Sequence, residues 1–184
     1  MAEILEKVKD YTTSVNVDRA LLMEKLSEFL AVEKGGVKLY EAAIPQVRNP
    51  DVLTRFREFH QQTRKHVDIL TRVIGALGGD PMHMSAGARV AEEKAQALLK
   101  TMSTPDSLGP DEVEVNAIEN IVIAETKDHA DWQLLSHLAR RSSDPKIRDI
   151  LKPAVDEVEP EEDQHLSWTS EQMAQLSLIS LTNK

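Results

Sequence analysis

The chain has 184 residues, 41% of them apolar and only 4% aromatic, with a net charge of −9 and no cysteine. That length suits one domain with a substantial core, and the missing thiols exclude iron–sulfur clusters, thiolate zinc sites and disulfides. The acidic balance argues against double-stranded nucleic acid as a partner, because there is no basic excess to displace counterions.

No apolar run approaches the ~18 residues of a membrane span. The opening "MAEILEKVKDYTTS" places Glu3 and Glu6 where a signal peptide keeps its apolar run. The expectation is therefore no secretory signal, no membrane partner and a cytoplasmic location in a reducing compartment. Abundant Leu, Ala, Glu, Lys and Gln favour helix.

After a short N-terminal segment (residues 1–17), "NVDRALLMEKLSEFLAVEKGGVKLYEAAI" (16–44) reads as a first long helix. Leu22, Leu26, Phe29, Val37, Tyr40 and Ile44 mark its apolar face. Asn49-Pro50 supplies a cap and first residue for the second helix. That helix is "DVLTRFREFHQQTRKHVDILTRVIGALGG" (51–79), with Phe56, Phe59, Leu70, Val73 and Leu77 as its stripe and "GGDP" as its stop. A longer connection (82–109) holds a short extra helix, "AGARVAEEKAQALLKTM", read as solvated and amphipathic. The third long helix is "PDEVEVNAIENIVIAETKDHADWQLLSHLARR" (110–141), and a fourth follows Asp144-Pro145. Pro153 and Pro160 inside the fourth are expected to kink or divide it. The whole predicts an all-α antiparallel four-helix bundle over 18–178, with a long crossover between helices two and three and a tail at 179–184.

Each long helix also places an ionisable group on its apolar stripe. Glu33 lies four residues after Phe29 and seven before Tyr40. Thr63 and His66 follow Phe59 by four and seven. Glu125 follows Ile121 by four, and His129 continues that line as an extra ligand or a partner of Glu125. Glu162 follows Val158 by four, with His165 three further on. Burying such groups costs several kcal/mol each unless they are paired or bind metal. Positions i and i+3 share a helix face, so in "EPEEDQHLSW" a Glu162 carboxylate can bridge two ions while His165 binds one. The competing expectation is an acidic, solvated helix turn. Tyr40 reads as a core aromatic with a bonded hydroxyl, His60, His83 and His137 as surface residues, and Met82 and Met84 as loop residues.

With these residues in view, the chain resembles the ferritin-like superfamily, nearest in pattern to bacterioferritin and bacterial ferritin-like stress proteins. "VEKGGVKLY", "HVDILTRVIGALGGDP" and "EEDQHLSW" carry the resemblance, which spans roughly residues 20 to 175. Such proteins hold a di-iron or di-manganese centre with one Glu from each of two helices and Glu-x-x-His from each of the other two. The resemblance implies Glu33, His66, Glu125, Glu162 and His165 as metal ligands. Thr63 stands where the pattern has a second bridging Glu, and a hydroxyl is a poor substitute toward hard cations. The resemblance implies iron or manganese as cofactor, with a single ion or none as the outcomes Thr63 opens. It implies oxidation of Fe(II) or consumption of oxygen or peroxide, in a homodimer or larger homo-oligomer. The alternative is a non-catalytic helical stress or interaction protein.

Overall fold

The computed structural model describes residues 13–103 and 108–182. Most of the expected N-terminal segment, including the stretch read for a signal, and the last two residues of the tail lie outside the described residues. The fold is all-α. Its helices are α1 (Arg19–Ala43), α2 (Pro50–Ala76), α3 (Ala86–Met102), α4 (Pro110–Arg141) and α5 (Pro145–Thr182), with a 3₁₀ turn at Ile44–Gln46. Among the described residues no helix is long and apolar enough to cross a membrane.

Local chemistry sets the helix boundaries. Asp18 accepts the Ala20 and Leu21 N–H groups, Asn49 those of Asp51 and Val52, and Ser85 that of Ala88. Glu112 reaches back to accept the Gly109 N–H at 2.7 Å. After α2, Gly78 takes φ +84°, a left-handed position that a side chain would strain. The two prolines do not divide α5, which runs 38 residues, about 57 Å at ~1.5 Å per residue. Each proline deprives the carbonyl four residues back, at Asp149 and Asp156, of its helical donor. All four residues are exposed, so solvent takes the donor's place. The helix continues past Leu178, where the sequence suggested a tail, and its last turns expose Leu178, Ile179 and Leu181.

Cross-helix contacts fix the directions. Tyr40 meets Phe56, and Arg19 reaches the Leu77 carbonyl, so α1 and α2 are antiparallel. Tyr40–Glu125 and Glu33–Trp132 make α1 and α4 antiparallel. Phe59–Trp168 and His66–Glu161 do the same for α2 and α5, as His129–Asp163 and Ser136–Glu159 do for α4 and α5. It follows that α2 and α4 run in the same direction, and α3 lies in the connection between them. α3 packs on α1 through small residues, Ala31 against Ala88 and Ala91. The approach is close enough that a Cβ on Gly35 would sit 2.9 Å from Ala95 Cβ.

One end is strapped. Val15 donates to Arg141 O and accepts from Ser143 N, both at 2.8 Å, beside the start of α1 and the α4–α5 hairpin.

The apolar interior is in two parts. One cluster joins Leu26, Phe29, Leu70, Trp132, Leu151 and Val158; the other joins Tyr40, Val52, Phe56, Phe59, Ile118 and Ile121. On every long helix the break between the clusters falls at the same level, and that level is polar.

Candidate metal centre

The polar level consists of side chains placed by the helical repeat. Glu33 from α1, His66 from α2, Glu125 from α4, and Glu162 and His165 from α5 all point inward, each at most 3% exposed. They form two triads that share Glu162: Glu33–His66–Glu162 and Glu125–Glu162–His165. Within each triad the ligand-type atoms lie within 4.8 Å of one another. His66 Nδ1 is 3.0 Å from Glu162 Oε1 and 3.7 Å from Glu33 Oε1. His165 Nδ1 is 3.4 Å from both Glu125 Oε2 and Glu162 Oε1. The imidazoles stack with ring centroids 5.7 Å apart.

The outer atoms of the two rings fix which nitrogen faces the centre. His66 Nε2 donates to Glu161 Oε2 and His165 Nε2 to Gln62 Oε1, each at 2.8 Å. In the neutral rings the lone pair then sits on Nδ1, aimed at Glu162, which is how metal-binding histidines are held. Glu161 is itself held by Lys65 at 3.0 Å. On the other side Tyr40 donates to Glu125 Oε1 and Trp132 Nε1 to Glu33 Oε1, both at 2.7 Å. Phe59, 4.2 Å from the His165 ring, and Trp168 wall off one flank.

What these contacts leave over is the diagnostic feature. Glu33 Oε2, His66 Nδ1, Glu125 Oε2, Asp128 Oδ1, both Glu162 oxygens and His165 Nδ1 are buried with no hydrogen-bond partner. His66 Nδ1 and His165 Nδ1 approach Glu162 Oε1 as ion-pair partners when the rings are charged. Buried polar atoms are almost always satisfied, so a cluster of this kind fits bound cations, one to each triad.

Electrostatics agree. Burial raises Glu33 to about 8, reinforced by Glu162 and Glu125 and opposed by His66 and Trp132. Burial would raise Glu162 too, but His165 and His66 outweigh it and hold this carboxyl at about 2. Burial works against a charged His165, yet Glu125 and Glu162 bring it up to about 10. Burial, then the Glu162 charge, also raises Glu125. The cluster therefore holds protons that a divalent cation would displace.

Three other expected residues sit differently. Thr63 is buried, but its hydroxyl donates to Phe59 O at 2.9 Å, back along its own helix. His129 turns to the outer edge of α5, with Nε2 2.7 Å from Asp163 Oδ1, and meets neither triad. Tyr40 is a buried core aromatic whose hydroxyl orients Glu125. Sequence reasoning missed Asp128, Glu161, Gln62 and Trp132. Asp128 was detectable: it lies seven residues after Ile121 and four before Trp132, on the stripe itself.

A family model described as "Domain of unknown function (DUF892)" matches residues 18–179. No curated protein and no solved structure matches the chain.

Proposed function

The chain belongs to the DUF892 family, and we propose that it is a ferritin-like metalloprotein with a dinuclear iron or manganese centre. In this reading α1, α2, α4 and α5 are the four bundle helices and the connection holding α3 is the crossover. Glu33, His66, Glu125, Glu162 and His165 are the ligands. The observation that carries the reading is the set of unpartnered inward atoms in two triads sharing Glu162.

A bound pair of such ions would supply a redox couple for oxidising Fe(II) or consuming oxygen or peroxide. The chain's own contributions are positional. Glu162 serves both triads, Glu161 and Gln62 hold the imidazoles with Nδ1 inward, and Tyr40 and Trp132 each hold one oxygen of a terminal carboxylate. Phe59 and Trp168 keep water from one flank.

The test is metal content per chain by mass spectrometry, after anaerobic loading with Fe(II) or Mn(II) and desalting, alongside a Glu162→Ala/His165→Ala variant. Two ions in the native chain and none in the variant support the reading. A second reading, a helical protein without working metal chemistry, is favoured by the Thr63 hydroxyl being bonded to its own helix. No metal in the native chain would select it.

A further inference from the structure

Thr63 leaves α2 one carboxylate short. Its hydroxyl is bonded to Phe59 O, and its methyl lies 3.2 Å from where a Cβ on Gly36 would stand. The two triads then offer three carboxylates and two imidazoles. Two divalent cations would leave a net positive charge in a buried site, and an uncompensated buried charge is costly.

A fourth carboxylate is present. The buried acidic side chains among the described residues are Glu33, Glu114, Glu125, Asp128, Asp131 and Glu162. Two of them are already occupied: Glu114 accepts the Arg48 and Asn49 N–H groups, and Asp131 is paired with Lys127. Asp128 is 4% exposed, and its Oδ1 has no partner. After burial itself, the largest influences on it are the charges of Glu33, Glu162, Glu125 and Asp131, all of which raise its pKa further. A buried aspartate with an unpartnered oxygen and only carboxylates among its largest electrostatic influences is costly to the metal-free fold.

We infer that Asp128 is the fourth carboxylate ligand of the centre, with Glu125-x-x-Asp128 on α4 supplying what Thr63-x-x-His66 on α2 lacks. The inference rests on the proposed metal centre. Asp128 stands outside both triads, so it suits a terminal ligand and not a second shared position like that of Glu162. With it the site regains four carboxylates and two imidazoles, which balance two divalent cations.

The experiment compares native protein, Asp128→Asn and Asp131→Asn. Each is titrated anaerobically with Co(II), whose visible absorption reports coordination, and with Mn(II), counted by mass spectrometry. Metal-free melting temperatures are measured alongside. The expected result is two ions in native protein and in Asp131→Asn. In Asp128→Asn the second ion should bind at least ~10-fold more weakly, with an altered Co(II) spectrum. Asn is nearly isosteric and relieves carboxylate repulsion, so the metal-free Asp128→Asn protein should melt no lower than native. Native affinity and spectrum in Asp128→Asn would overturn the inference while leaving the centre standing. So would equal weakening in Asp131→Asn, or a lowered metal-free melting temperature in Asp128→Asn. Absence of metal from native protein would overturn the centre itself, and Asp128's role with it.

Discussion

Metal uptake at this centre should be coupled to proton release. At pH 7 a Glu33 with pKa about 8 is mostly protonated, and a His165 with pKa about 10 almost wholly so, while Glu162 at about 2 is ionised. A ligand carboxylate must be ionised and a ligand imidazole neutral, so binding should expel about two protons from this pair. Each proton released steepens affinity tenfold per pH unit, so these two groups alone should raise affinity about 100-fold from pH 6.5 to 7.5, or about 2.7 kcal/mol. The raised His66, Glu125 and Asp128 act in the same direction. Calorimetric Mn(II) titration in buffers of different ionisation enthalpy gives the proton count directly. Fewer than one proton released, with affinity flat across that interval, would refute the reasoning. It would mean that burial does not protonate the cluster and that the ligands are already in their binding forms.

Removing the metal should expose the same groups in the stability profile. Glu33, raised, contributes stability present below its ordinary 4.5 and lost as pH rises through about 8; His165, raised, contributes stability present below 6.5 and lost through about 10. Glu162, depressed, contributes stability present above 4.5 and lost as pH falls through about 2. The metal-free melting temperature should therefore peak near pH 4.5, fall below it as Glu162 is lost, and fall above it as Glu33 is lost, more steeply past pH 6.5 where His165 joins. Glu161→Gln should weaken metal binding by ~10–100-fold through its hold on His66, whereas His129→Ala should leave metal affinity unchanged. Replacing Pro153 or Pro160 with Ala restores a helical donor at an exposed position. Urea denaturation should show a gain of up to ~3 kcal/mol per site with an unchanged slope.

The helices and their stripes were legible because the 3.6-residue repeat is strong in this chain. Leu22, Leu26, Phe29, Phe56, Phe59, Leu70 and Val73 are buried as their spacing predicts. Val37 and Ile44, expected on the same face, are only half-buried. α1 is covered by α2, α4 and α3 together, and Gly35, Gly36 and Leu39 take inward places that a single narrow stripe does not anticipate. The step from Asp128 to His129 has a related cause. Adjacent residues differ by about 100° around a helix, and at a stripe edge periodicity alone does not choose between them. The imidazole attracted attention as a ligand type, while the aspartate had the better register. Gln62 and Glu161 carry no sequence signal, because their roles exist only once α2 and α5 are docked. The glutamates and histidines of the two triads were visible as polar interruptions of apolar faces; their convergence on Glu162 needed the fold.

The strap at Val15 makes the molecule lopsided. At that end the chain before α1, the α2 terminus and the α4–α5 hairpin are tied by backbone and arginine hydrogen bonds. At the other end α5 finishes with Leu178 62% and Leu181 77% exposed. Fluctuations should therefore open the structure like a zip, from the Gln172–Thr182 turns toward Pro145. Amide exchange along α5 would then form a gradient: fast by local fraying at the far end, limited by global unfolding from Ile147 to Val158. The polar layer lies between these regimes, so a cation gripping Glu162 and His165 would act as the stop on the zip, and its loss would let the slide run further.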